Sequence, residues 1–223
     1  MSTGTPFSTY RQYDVAGNVV KSIDPRTYAT SFDFADHYGA PDGAAQSNTP
    51  PSELGGLTSF AFATKVTNPL LHVAYRQFDY FLGLPVDQED ANGVVTSSTY
   101  SDALDRVTQV IRANNVSSVR NQTTFSYDDT NRVVTTTRDL SSYGDNQVKN
   151  AVVYDGLGRT VETRQYENAT AYIKKPQSYD GMSRVWKVWN PYREGSETPY
   201  WTTTEYDGLG RVKTVTQPGS AVT

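Results

Sequence analysis

The sequence predicts an all-β fold in which antiparallel β-hairpins follow one another in series. Three observations lead there. The hexapeptide YDGLGR stands at residues 154–159 and again at 206–211, with a near copy, YDGMSR, at 179–184. The aspartates of these and related copies recur about every 25 residues, the length of one hairpin plus a connection. Threonine, valine and tyrosine, which suit a pleated surface, fill the segments between them.

In chain order, the first unit is YDVAGN, with Asp14 as its marker. The second is degenerate: FADHYGAP (34–41) lies over FDYFLGLP (78–85), with Ala35 in the marker place. Six clear copies follow, marked by Asp79, Asp102, Asp128, Asp155, Asp180 and Asp207 at gaps of 23, 26, 27, 25 and 27 residues. Three residues after the marker come Gly17, Asp105, Asn131, Gly158, Ser183 and Gly210; in the two longer turns Gly39 and Gly83 come four after. Seven of these eight are Gly, Asn or Asp, which tolerate a positive φ. A hairpin loop of about three residues commonly ends on such a residue and forms a bulge. The spacing therefore predicts strand, tight turn, strand, with the marker Asp accepting hydrogen bonds from turn amides. Ser183 departs from the pattern, and a strained or different turn is expected there. The Arg after the turn (Arg106, Arg132, Arg159, Arg184, Arg211) is expected to pair with an acid of a neighbouring unit or to lie over a tyrosine face.

The flanks TTTEY (202–206), NAVVY (150–154), RVVTTT (132–137) and RVKTVT (211–216) read as strands. Looser second connections are expected at DPRTY (24–28), DANG (90–93), SYGDNQ (142–147) and NPYREGSETP (190–199). Residues 41–57 read as an inserted surface loop, and no helix is expected. Eight hairpins make about sixteen strands, roughly 75 Å side by side, and a sheet that long is expected to curve strongly. A propeller blade needs about 40 residues or more, which the period excludes.

Composition narrows the function. The 223 residues carry a net charge of −4 and no cysteine, so neither a basic nucleic-acid face nor a disulfide or thiolate site is expected. No apolar run is long enough for a membrane helix, and the N-terminus does not read as a signal peptide. The whole of 1–223 reads as one repeat array, a fragment of a longer chain. Bare edge strands in such a fragment invite self-association.

The repeated YDGLGR, YDGMSR and YDDTNR elements, each with a following Arg, resemble the YD-repeat family, also called RHS (rearrangement hotspot). The resemblance covers about residues 10–217 and is weakest at 33–75. It implies a β-sheet spiral that closes into a hollow shell, as in bacterial RHS proteins, insecticidal toxin complexes and teneurins. In the bacterial toxins the shell encloses a C-terminal toxic domain, released after a DPxGL-type self-cleavage motif. This sequence shows neither motif nor cargo, so the resemblance implies a length of shell wall. Its partners would be the rest of the parent shell and its toxin cargo, and its location secreted or at the cell surface.

Catalysis finds little support. A row of eight Tyr-Asp-like turns is not one constellation, His37 and His72 have no G-x-S-x-G partner, and DANG and YDDTNR lack the spacing of a calcium loop. No catalytic, cofactor or metal residue is assigned. The alternative to a structural wall is a carbohydrate- or receptor-binding module. Its candidate residues are Trp186, Trp189, Tyr192, Tyr200 and Trp201, because exposed aromatic faces stack on sugar rings. Packing across strands is the plainer reading of the same residues.

Overall fold

The computed structural model describes residues 7–35, 43 and 54–219. The chain divides into two compact units, Met1–Gln122 and Thr123–Thr223. In the first, β1 (Tyr10–Tyr13), β2 (Val19–Ile23), β3 (Ala29–Asp33), β4 (Lys65–Thr67), β5 (Val73–Phe78), β6 (Pro85–Glu89), β7 (Val95–Tyr100) and β8 (Val107–Arg112) lie in chain order in the sheet. The strand β9 (Asn121–Asp128) leads into the second unit. There β10 (Val133–Arg138), β11 (Val148–Tyr154), β12 (Thr160–Tyr166), β13 (Tyr172–Tyr179), β14 (Val185–Trp189), β15 (Trp201–Tyr206) and β16 (Val212–Thr216) again follow chain order. Pairing is antiparallel throughout, and the described residues contain no α-helix. The all-β reading and the serial hairpins are borne out.

The turns explain the register. In six of the seven described Tyr-Asp hairpins the register slips by one residue just before the turn. In the β11–β12 hairpin, Val153 faces Glu162 but Tyr154 faces Thr160, which leaves Val161 as the extra residue. A left-handed residue closes each of these turns, as in Gly158 (φ 76°) and Gly210 (φ 81°). Ser183 takes φ 63°, a strained backbone for a residue with a Cβ, in a turn of the same type, since its hairpin shows the same slip.

The β9–β10 turn corrects the assignment of Asn131. Asp128 stays in the ladder opposite Val133, so the turn is one residue longer, and Arg132 takes the positive φ of 55°. Asn131 instead gives its amide and its side chain to the Asp128 carboxylate, at 2.9 and 2.7 Å.

Three of the connections on the opposite edge are not looser at all. Asp24 accepts the amides of Arg26 and Tyr28, and Asp90 those of Asn92 and Val94. Asn68 does the same for Leu70 and His72, so His72 lies in a turn before β5, not in a strand.

Among the described residues the deeply buried apolar side chains are Phe78, Val86, Val95, Ala113 and Ala151. The first unit gains a cover where Phe62 stacks on Phe78, ring centroids 4.5 Å apart. Gly43 is buried, its amide 3.2 Å from the Asp87 carboxylate. A Cβ there would come within 2.5 Å of the Asn114 amide group. His37, Gly39 and most of 41–53 lie outside the described residues, while Ala35 gives its amide to Asp33 rather than acting as a marker.

Candidate functional site

The Tyr-Asp-Arg elements marked by Asp155 and Asp180 close their own turns and grip the next hairpin. In the second unit Asp155 Oδ1 accepts the amides of Leu157 and Arg159 at 2.8 and 3.0 Å. Its other oxygen takes the Arg159 Nε at 2.7 Å. Asp180–Arg184 and Asp207–Arg211 repeat the pair, both at 2.7 Å, and Asp102–Arg106 repeats it in the first unit at 2.6 Å. Arg106, Arg159, Arg184 and Arg211 thus bind their own marker, whereas Arg132 gives its Nε to the Tyr154 carbonyl of the next hairpin at 3.3 Å. Arg159 and Arg184 also cover the tyrosine that follows: the guanidinium carbon of Arg159 sits 4.4 Å from the Tyr179 ring centre, and that of Arg184 sits 4.4 Å from Tyr206. Arg159 Nη1 reaches on to Ser183 Oγ at 2.8 Å.

The tyrosine completes the link in the other direction. Tyr179 Oη donates to the Thr160 carbonyl at 2.7 Å, and Tyr206 Oη to the Val185 carbonyl at 2.8 Å. In the first unit Tyr100 Oη does the same to Pro85, at 3.2 Å. The acceptor is always the first residue of the second strand of the preceding hairpin. In Tyr179-Asp180 and Tyr206-Asp207 the two stand side by side, one reaching backward while the other closes the bend; in the first unit Ser101 separates Tyr100 from Asp102. Sequence spacing marked the Asp role but not the Tyr role.

The electrostatics agree. Asp102 is held at about 2, chiefly by the hydrogen bond from Arg106. Asp180 is lowered chiefly by the Arg184 side chain, and Asp207 by the Arg211 amide and then its side chain. At Asp155 desolvation is the largest single influence and pushes upward, but the bonds from Arg159 and the Leu157 amide together bring the carboxyl below its ordinary value. These carboxylates are occupied as structural acceptors. Among the described residues no group of three His, Asp or Glu is placed to hold a metal ion.

The aromatic candidates separate into parts. Trp189 and Trp201 face one another across β14 and β15, centroids 6.3 Å apart. The Lys187 ammonium lies 3.7 Å from the Trp201 ring centre and 4.5 Å from that of Trp189. Tyr200 and Trp201 are exposed and line a shallow hollow with Thr203, Thr216 and Pro218. Trp186 stands in the register slip of β13–β14 and is 46% exposed. Tyr192 instead covers Lys174, which is buried and pairs with Glu194 Oε1 at 2.7 Å.

No protein-family model and no curated protein matches the sequence. Solved structures do match. One is the Photorhabdus luminescens Tc holotoxin pore carrying a TccC3 mutation, with a TM-score of 0.56 at 11% identity over 96% of this chain and 12% of that one. Another is TcdB2–TccC3 without its hypervariable C-terminal region, with a TM-score of 0.58 at 12% identity over 93% of this chain and 10% of that one. The TcdB2–TccC3–Cdc42 structure gives 0.55 at 11% identity, over 96% and 12%. The fold is the YD-repeat (RHS) fold. The likeness is one of fold, and the chain spans only 10–13% of the matched chains. In this chain the Tyr-Asp-Arg contacts of Tyr100, Arg159, Tyr179, Arg184 and Tyr206 join one hairpin to the next. Among the described residues no helix is long and apolar enough to cross a membrane.

Proposed function

We propose that this chain is a non-enzymatic length of wall from an RHS-type β-shell that encloses a toxin domain. The carrying observation is the backward tyrosine bond, made by Tyr100, Tyr179 and Tyr206 to the hairpin before each. It is a repeated mechanical joint with no single reactive centre. The fold shared with the Tc toxin structures supports the same reading. In it, 1–223 is one array of a curved wall, secreted or at the cell surface, and its partners are the rest of that wall and the enclosed cargo. The test is limited proteolysis of the polypeptide encoded by the reading frame around this segment. A domain enclosed by the wall resists protease until the wall is opened by denaturant. A following domain digested equally fast with and without the wall overturns the reading.

The exposure of Tyr200 and Trp201 beside one hollow favours a second reading, a surface that binds carbohydrate or a cell-surface receptor. Of the other candidates, Trp189 lies against Trp201, while Trp186 and Tyr192 sit apart from the hollow. Binding on a glycan array that is lost in Trp201→Ala supports this reading. A flat array for the unaltered chain removes the carbohydrate form.

A further inference from the structure

Five of the seven described Tyr-Asp turns carry a large apolar residue at the tip, where the turns of Asp14 and Asp128 have Ala16 and Thr130, and neither reading uses it. Two residues after the marker stand Leu157, Met182 and Leu209, which are 74%, 76% and 79% exposed. Their amides are fixed on the Asp carboxylates at 2.8, 2.9 and 2.9 Å, which holds the backbone of each tip. The same offset in the first unit presents Phe81 and Leu104, also exposed. Exposed turn tips ordinarily carry polar or small residues. Large apolar residues repeated at one offset form the kind of exposed surface that marks a contact.

We infer that the row Leu157–Met182–Leu209 docks against the same row of a second copy of this chain. Two features select that occupant. Successive tips on one edge are two strands apart, about 10 Å, so a partner with the same repeat seats all three knobs in register. The row is also nearly neutral, because Arg159, Arg184 and Arg211 each close on their own Asp within the turn. Two such rows meet without repulsion. The contact is isologous, with Met182 at its centre facing Met182 of the other copy. Three side chains a side bury less than the ~1,200 Å² of a stable complex, so the pairing is weak and appears on concentration. It does not depend on the shell reading.

Sedimentation velocity over about 10 µM to about 1 mM brackets the affinity of so small a contact. The weight-average sedimentation coefficient is expected to rise with concentration. The rise is lost in the triple variant Leu157→Asp, Met182→Asp, Leu209→Asp, whose circular dichroism stays unchanged. The chain has no cysteine, so Met182→Cys gives an independent measurement. It cross-links to a homodimer on mild oxidation, whereas Glu205→Cys, exposed on β15 but off the row, does not. A sedimentation coefficient independent of concentration overturns the inference. So does a rise that survives the triple variant, which assigns association to bare strand edges, or equal cross-linking at both cysteines.

Discussion

Tyr206 donates its hydroxyl to the Val185 carbonyl, 2.8 Å away, while its ring lies under the guanidinium of Arg184. One side chain thus joins two hairpins by a hydrogen bond and a cation–π contact. Tyr206→Phe keeps the ring and removes the donor. The expected loss is about 0.5–1.5 kcal/mol, read from the midpoint of urea unfolding. An unchanged midpoint would mean that water replaces the hydroxyl at no cost.

Backbone conformation supplies a test that contacts cannot confuse. Gly158 has φ 76°, and a Cβ there would meet no atom within 4 Å, so any cost of a side chain is torsional. Gly158→Val is expected to destabilise by about 1–3 kcal/mol. Gly208 has no positive φ and equal space, and Gly208→Ala is expected to be neutral or slightly stabilising. Thermal melts of the two variants should separate clearly.

Leu71 reverses the usual sign. It holds φ 65° and is 80% exposed, so it is strained while packing little. Leu71→Gly relieves about 1–2 kcal/mol of left-handed strain and gives back about 0.5–1 in chain entropy. A net gain of up to about 1.5 kcal/mol is expected in denaturant unfolding. A loss would place Leu71 in a contact that its exposure conceals.

Acid should loosen the array within a defined window. The turn carboxyls titrate lower in the fold than the ~3.9 of a free Asp. Their contribution is present above that value and is lost as pH falls through the folded one. The melting temperature is therefore expected to hold from neutral pH to about 5 and then fall between about 4 and about 2. A melting temperature at pH 2.5 equal to that at pH 7 would contradict the role given to these pairs.

The Lys174–Glu194 pair is unequal in burial. The Lys174 side chain is 11% exposed and that of Glu194 71%. Lys174→Met keeps the apolar stem and strands no buried charge, so a change of less than about 1 kcal/mol is expected. Glu194→Ala leaves the buried ammonium without its nearest carboxylate and should cost about 1–3 kcal/mol. Equal effects in the two melts would argue against this asymmetry.

The hairpin series was legible because Asp at the bend and a tolerant residue three later are local requirements, visible in any one copy. Where the requirement was met by an unexpected residue, the pattern hid itself. Thr27 and Leu71 take a positive φ after Asp24 and Asn68, though neither residue type favours it. Arg132 does so in place of Asn131 because Asp128 remains paired with Val133. The tyrosine bonds were not legible, since the acceptor lies on another hairpin and its position depends on how strands align. For the aromatic cluster, nearness in sequence misled. Trp189 meets Trp201 across strands, whereas Trp186, three residues from Trp189, occupies a register slip.

Because each tyrosine reaches toward the N-terminus, synthesis and assembly run in the same direction. When Tyr206 leaves the ribosome, the carbonyl it needs on Val185 has already been made and fixed. In the second unit each new rib is laid on a finished template, whereas in the first Gly43 must wait for Asp87, made 44 residues later.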